Sequence, residues 1–256
     1  MSAAPLVLVT DDDHVRVLTF NRPEARNAFN FGLYSAAGEA LRETAADDGV
    51  TVVVLTGSGT AFSAGQDLKE MAALVSGSGG SDAATGFRSF MDALCEFDKP
   101  LLAAVNGVAV GLGFTMLAHC DIVIMSEQAR MRVPFAELGV PAEAASSYLF
   151  PARMGAQRAA EILFTSRWVE AEEAVDLGIA LRVVAADMLM TEALDVANRI
   201  AAGSPLALRS IKGLMRAHEA PVVAAARARE DEAYTQLLGS ADNVAALDRF
   251  GSTGRT

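Results

Sequence analysis

The run Pro100-Leu-Leu-Ala-Ala-Val105-Asn-Gly-Val-Ala-Val-Gly111-Leu-Gly113-Phe-Thr115-Met-Leu-Ala118 carries no charge after its proline. At eighteen residues, the uncharged stretch approaches the length of a membrane span. Its punctuation argues otherwise. Pro100 precedes it, Asn106-Gly107 interrupts it, and Gly111 and Gly113 break it again. These residues divide the run into a buried strand, a tight loop and a buried helix.

Outward from this stretch the chain alternates strands and helices, the α/β pattern. Residues 6–10 and 15–20 read as two strands joined at Asp11-Asp12-Asp13, a hairpin that ends at Arg22-Pro23. Residues 31–46 read as a helix with Leu33, Ala37, Ala40, Leu41 and Thr44 on one face. The run Val52-Val-Val-Leu55 is apolar throughout, as in a strand covered on both faces. A helix follows from Asp67, then a flexible Ser/Gly stretch at 76–82, then a helix over 87–97. Strands are expected at 101–105 and 122–125, with a helix starting near Gly111. Beyond Pro151 the chain is mainly helical, at 155–164, 170–177, 187–202, 205–217 and 222–238, with one strand at 179–184. No internal sequence period is visible.

The chain has 256 residues, of which 52% are hydrophobic and 21% charged, so it is long enough for a full core and excludes a disordered chain. A folded surface of roughly 11,000 Å² is expected at this size. The net charge of -11 argues against non-specific binding to nucleic acid or to an anionic membrane. Lysine occurs only at Lys69, Lys99 and Lys212. Cys95 and Cys120 form no framework and read as buried thiols of a reducing, cytoplasmic setting. His14, His119 and His218 have no ligand spacing, so no metal site is expected. The N-terminus lacks a secretory pattern.

Gly57-Ser-Gly59-Thr-Ala-Phe62 opens like a dinucleotide-binding loop, but Phe62 stands at the third glycine position and no acid for a ribose follows at a strand end. It reads as an ordinary turn. Neither a P-loop nor a GxSxG elbow is present. Two other segments share one design. Ala61-Phe-Ser63-Ala64-Gly65-Gln66-Asp67-Leu68 and Ala104-Val-Asn106-Gly107-Val-Ala-Val-Gly111-Leu112-Gly113 each leave a buried strand through small residues and enter a helix. Helix N-termini present unpaired N–H groups with partial positive charge, and two of them side by side make an oxyanion hole. Tight packing of the glycines is the competing reading.

These segments resemble signatures of the enoyl-CoA hydratase/isomerase, or crotonase, superfamily. Asn21-Arg22-Pro23-Glu24-Ala25-Arg26-Asn27-Ala28 is similar to the family's N-terminal motif, and Ser63 to Leu68 to its first oxyanion loop. Pro100 to Gly113, running on to Cys120-Asp121-Ile122, is similar to the second loop. Ala171-Glu-Glu-Ala174, Leu177-Gly178 and Val183-Val184 resemble the segment before its C-terminal helices. The similarity runs in order along nearly the whole chain. It implies a crotonase-like spiral of ββα units over residues 1–200 and a helical trimerisation region over 201–256, assembled as a homotrimer or a dimer of trimers. It also implies an acyl-CoA thioester substrate, with coenzyme A part of that substrate and no separate cofactor.

The resemblance assigns the two thioester-binding N–H groups to Gln66 and Leu112. Lys69 falls where many members place a CoA-contacting lysine. Arg22 and Arg26 flank the expected adenine side, and Ala64, Gly111, Phe135 and Tyr148 fall on the expected substrate-binding positions. Hydratases of the family carry two glutamates, and at those positions this chain has Thr115 and Phe135. A carboxylate appears eight residues past Phe135, at Glu143 in Pro141-Ala-Glu143-Ala-Ala-Ser146-Ser147-Tyr148-Leu-Phe150-Pro151. This resembles the Δ3,Δ2-enoyl-CoA isomerase branch, in which one glutamate at the position of Glu143 does the proton work. The residues alone also allow Pro141 to start a short helix with Glu143 in its first turn, where the dipole favours an acid by roughly 0.3–1 kcal/mol. Glu137 is the second choice for the proton work, and the solvated-carboxylate reading is favoured for it. The expected activity is the conversion of 3-enoyl-CoA to 2-enoyl-CoA in fatty-acid metabolism. The alternatives are hydration with a displaced acid, another CoA reaction such as thioester hydrolysis, and an acyl-CoA-binding scaffold with weak catalysis.

Overall fold

Strand β1 (Val7–Asp12) turns at Asp13-His14 into β2 (Val15–Phe20), antiparallel, with Val7 opposite Phe20 and Asp12 opposite Val15. The turn is shorter than the three aspartates suggest. Arg16 takes both oxygens of Asp11, at 2.7 and 2.8 Å, so two of the acids continue as strand. The computed structural model describes residues 4–78 and 82–252 of the chain. Its exposed surface is 11956 Å², close to the value expected from size.

From β2 the sheet grows in parallel through β3 (Val52–Gly57), β5 (Leu101–Val105), β7 (Ile122–Ser126) and β10 (Arg182–Val184). Strand alternation divides the apolar residues of β3 between two cores. Val53 and Leu55 join α1 (Phe31–Ala46) and α3 (Asp82–Glu96) on one face, while Val52 and Val54 meet Leu189, Ala193 and Val196 of α9 (Leu189–Ala201) on the other. The expected helical face of α1 is buried at all five positions.

A second sheet, absent from the sequence reading, is made of very short strands: β4 (Ala61–Ser63), β6 (Val108–Val110), β8 (Arg130–Arg132) and β9 (Val169–Glu170), in the order β4-β6-β8-β9. Each turn of the chain therefore runs long strand, short strand, helix. The helices are α2 (Leu68–Val75) after β4, α4 (Leu112–Thr115) after β6 and α5 (Phe135–Leu138) after β8. This is the spiral of ββα units that the resemblance implies. The uncharged run of eighteen residues is thus β5, a turn, β6, a single turn of helix and a further 3-10 turn at Met116–His119. Among the described residues no helix is long and apolar enough to cross a membrane.

The later helices are α6 (Ser146–Met154), α7 (Ala156–Thr165), α8 (Ala171–Asp176), α10 (Pro205–Arg216), α11 (Ala220–Leu237) and an unforeseen α12 (Ala241–Ser252). Pro151 lies inside α6 rather than at its end. The last three helices fold back on the spiral. Lys212 Nζ reaches Asp121 at 2.8 Å, Arg216 reaches the other oxygen at 3.1 Å, and Arg227 pairs with Asp92 at 2.8 Å. The buried Asn243 donates to the Leu138 carbonyl at 2.8 Å, which seats α12 beside α5. Of the Ser/Gly stretch expected to be flexible, Ser76 to Ser78 close the end of α2, with the Ser76 hydroxyl donating to the Ala73 carbonyl; residues 79–81 lie outside the described residues.

Candidate active site

The first loop is fixed by a bridge between Phe29 and Gln66. The Phe29 N–H donates to the Gly65 carbonyl at 2.6 Å, and the Asp67 N–H to the Phe29 carbonyl at 2.9 Å. In such a parallel bridge the N–H of the middle residue, Gln66, points away from its partner strand. Gly65 has φ +82, and a Cβ on it would stand 2.5 Å from the Val110 carbonyl oxygen. Only glycine fits there, for both reasons. Ser63 braces the loop by donating to the Asn27 carbonyl at 2.8 Å and accepting from the Gly65 N–H at 3.1 Å. Asp67 then caps α2 by accepting the Lys69 N–H at 2.9 Å.

The second loop ends at Gly111, with φ +52 and ψ −120. Its N–H donates to the Arg132 carbonyl at 3.0 Å, and its carbonyl accepts from Phe114 and Thr115 at 2.9 Å each. Leu112 is the first residue of α4 and has no carbonyl behind it to bond. Among the described residues, neither the Gln66 N–H nor the Leu112 N–H has an acceptor in the protein. The two loops touch: a Cβ on Gly65 would lie 3.5 Å from the Gly111 Cα.

Glu143 completes this corner. A Cβ on Gly111 would lie 3.9 Å from Glu143 Oε1 and equally 3.9 Å from the Gly65 Cα. The carboxylate therefore sits at the junction of the two loops, partly exposed, and no donor among the described residues reaches its oxygens. Burial first, and the negative charge of Glu230 second, push its carboxyl up to about 8. Glu143 is not in a helix begun by Pro141. It lies in an irregular segment, three residues before α6, followed by Ala144 and Ala145 with φ +57 and +59. Two successive left-handed alanines cost roughly 1 kcal/mol or more each.

Two side chains hold that corner, and a third braces Gln66. Glu230 of α11 accepts the Ala145 N–H at 2.6 Å and the Ser147 N–H at 2.9 Å. His119 Nε2 stands 2.7 Å from the Ala144 carbonyl, which fixes the tautomer with the proton on that nitrogen. Burial holds His119 at about 4, so the ring is neutral at neutral pH. Tyr34, fully buried on α1, donates to Gln66 Oε1 at 2.7 Å. Tyr34 and Tyr234 both have their hydroxyl pKa raised, by burial first and the charge of Glu143 next.

The other sequence-predicted residues divide. Leu112, Thr115 and Phe135 are buried, and the Thr115 hydroxyl turns to the Leu112 carbonyl at 3.5 Å. Tyr148 is half-buried against the core. Glu137, 45% exposed, pairs with Arg132 at 2.5 Å. Lys69 is exposed on the first turn of α2. The Arg26 carbonyl accepts the Ala64 N–H at 2.9 Å, so Arg26 reaches the loop through its backbone while its side chain is exposed. Arg22 is spent inside the protein, on Asp67 Oδ2 at 2.6 Å and the Ala28 carbonyl at 3.0 Å. The N-terminal motif thus builds the first loop. The sequence reading missed Glu230, Tyr34 and Tyr234, and left His119 without a role. Nothing in the local pattern around them distinguishes them from surface or core residues. Among the described residues no cluster could hold a metal ion.

Paired N–H groups with a lone carboxylate beside them can hold a developing oxyanion and move a proton next to it. The family model for enoyl-CoA hydratase/isomerase matches residues 10–255, and the chain belongs to that family. It is 34% identical to enoyl-CoA delta isomerase 3, peroxisomal, of Mus musculus, over 95% of this chain and 77% of that protein. It is 32% identical to 2,3-dehydroadipyl-CoA hydratase of Escherichia coli (strain K12), over 95% of this chain and 94% of that protein. The crystal structure of an enoyl-CoA hydratase/isomerase from Pseudoalteromonas atlantica T6c matches with a TM-score of 0.89 at 35% identity, covering 97% of each chain.

Proposed function

We propose that this protein is an enoyl-CoA isomerase that moves the double bond of a 3-enoyl-CoA into conjugation with its thioester. The observation that carries the reading is the single carboxylate: Glu143 lies at the junction of Gly65 and Gly111, while Thr115 and Phe135 are buried and cannot carry a proton at neutral pH. The thioester oxygen accepts from the Gln66 and Leu112 N–H groups. Glu143 takes a proton from C2, the dienolate is held by those two donors, and the same carboxyl returns the proton to C4. Each donor contributes roughly 3–4 kcal/mol at the transition state. No water and no separate cofactor enter the reaction. In this reading the exposed Lys69 meets the CoA, whereas Arg22 acts through Asp67.

The delta-isomerase relative supports this reading, and the hydratase relative supports hydration as its competitor. Incubation with a 3-enoyl-CoA and, separately, a 2-enoyl-CoA, followed by chromatography, tests both. Conversion to the conjugated isomer is expected, and a 3-hydroxyacyl-CoA formed faster than any isomer overturns the reading. Assembly as a homotrimer or a dimer of trimers belongs to the same proposal. On the single chain, α10 leaves Ile211, Leu214 and Met215 more than half exposed on one side of the helix, an apolar face suited to a second copy. A cytoplasmic setting, inferred from the two unpaired cysteines, completes the proposal.

A further inference from the structure

We propose that Glu230 is a positioning residue, whose grip on the Ala145 and Ser147 N–H groups holds the left-handed Ala144-Ala145 corner and so aims Glu143 at the Gly65/Gly111 junction. The inference rests on the reading of Glu143 as the proton-transferring group. Its ground is geometric. Two consecutive non-glycine residues at φ +57 and +59 relax unless their surroundings hold them. The N–H groups that such a corner turns inward are those of Ala145 and Ser147, and one buried carboxylate accepts both, at 2.6 and 2.9 Å. His119 also holds the corner, through the Ala144 carbonyl at 2.7 Å.

Glu230 reaches this corner from α11, so the C-terminal helices take part in the site. Arg227, one turn earlier on the same helix, pairs with Asp92 of α3 and fixes the helix against the core. Tyr34 from α1 and Tyr234 from α11 sense the charge of Glu143, and Glu143 in turn senses Glu230 of α11; Tyr148 of α6 is half-buried nearby in the chain. Of these, Glu230 carries the negative charge that opposes ionisation of Glu143. The residue therefore has two separable effects, reach and charge.

Two substitutions separate them. Glu230→Gln keeps the length and removes the charge, but its amide has one acceptor oxygen, so one of the two N–H bonds is lost with it; the charge is read from the pH midpoint alone. Glu230→Asp keeps the charge and shortens the reach. For Glu230→Gln, the midpoint of the rising limb of kcat/KM against pH should move down by about half a unit or more, because a neutral neighbour no longer opposes the Glu143 charge. For Glu230→Asp, that midpoint should stay near wild type while kcat falls by ~10-fold or more, with KM little changed, because a misaimed base loses its alignment with the reacting carbon. A merely structural residue would lower the folded fraction and leave both the midpoint and the kcat of the folded enzyme unchanged, and that result would overturn the proposal. If Glu230→Gln does not fold, Glu230→Asp decides alone by its kcat. Glu143→Gln is assayed alongside. If it keeps near-wild-type isomerisation, the proton-transfer reading itself fails; if it is inactive while both Glu230 variants match wild type, only the positioning role fails.

Discussion

In the proposed reaction Glu143 must be charged to take a proton, and its surroundings resist that charge, pushing its carboxyl up to about 8. Activity limited by this base should therefore rise with pH and level off above about 8, in a profile of kcat/KM for isomerisation. Glu143→Gln should lower kcat by ~100-fold or more while leaving CoA affinity nearly unchanged. The same group makes a stability statement. The folded protein keeps this proton up to about 8, whereas the unfolded chain releases it near 4.5, as a free glutamate does. Between those values the native state binds more protons, so stability falls as pH rises. At about pH 9, Glu143→Gln should be more stable than wild type by up to roughly 4 kcal/mol, read from denaturant melts; equal stability there contradicts the raised pKa. Gly65 is the other decisive residue. A Cβ there meets the Val110 carbonyl at 2.5 Å from a backbone at φ +82. Gly65→Ala should cost roughly 2–4 kcal/mol of stability and ~100-fold in kcat, because the Gln66 donor moves with the loop.

At the scale of elements, helix α2 shows how the N-terminal motif and the first loop depend on each other. Asp67 caps the helix with one oxygen and holds Arg22 with the other. Asp67→Ala removes the cap and leaves a largely buried guanidinium without its partner, at an expected cost of ~2–3 kcal/mol. Arg22→Ala should show a comparable loss, and the double variant should cost clearly less than the sum of the two, as a double-mutant cycle of melts will show. Arg22→Ala should act on stability more than on CoA affinity. A drop in affinity alone, with an unchanged melt, would instead make Arg22 a direct CoA contact. The short strands belong to this scale as well. β4 and β6 have three residues each, too few to show a period, and they are strands only because the long strands carry their loops side by side.

At the scale of the molecule, the C-terminal helices are tied to the spiral and reach the site. Asp121 anchors α10 through Lys212, a buried lysine whose pKa burial lowers to about 8, and through Arg216. Asp121→Ala leaves Lys212 buried without its carboxylate and should cost ~3–5 kcal/mol, visible as a lower melting temperature and faster proteolysis near residue 203. Light scattering at micromolar protein should give three or six times the mass of one chain. Leu214→Glu on the exposed face of α10 should shift that mass toward the monomer. A monomeric wild type would contradict the proposed assembly.

Local pattern alone determined the long strands and the buried face of α1, whereas the roles of the two glycine loops and of Glu143 came from the resemblance. Periodicity, breakers and motif order are properties of neighbouring residues, so they are legible in the chain. The spiral came from the resemblance, not from a repeat. Val53 pairs with Leu101 and Leu102 with Ile122, so successive turns differ too much in length to leave a period. Tertiary structure alone decided the rest. Arg22 meets Asp67 across 45 residues, and Glu230 meets Ala145 across 85. In Arg229-Glu230-Asp231-Glu232 nothing local singles out the one carboxylate that turns inward. Burial is set by what packs from elsewhere in the chain, and with it the cost of a charge, so neither the raised pKa of Glu143 nor the grip of Glu230 is written in any short stretch.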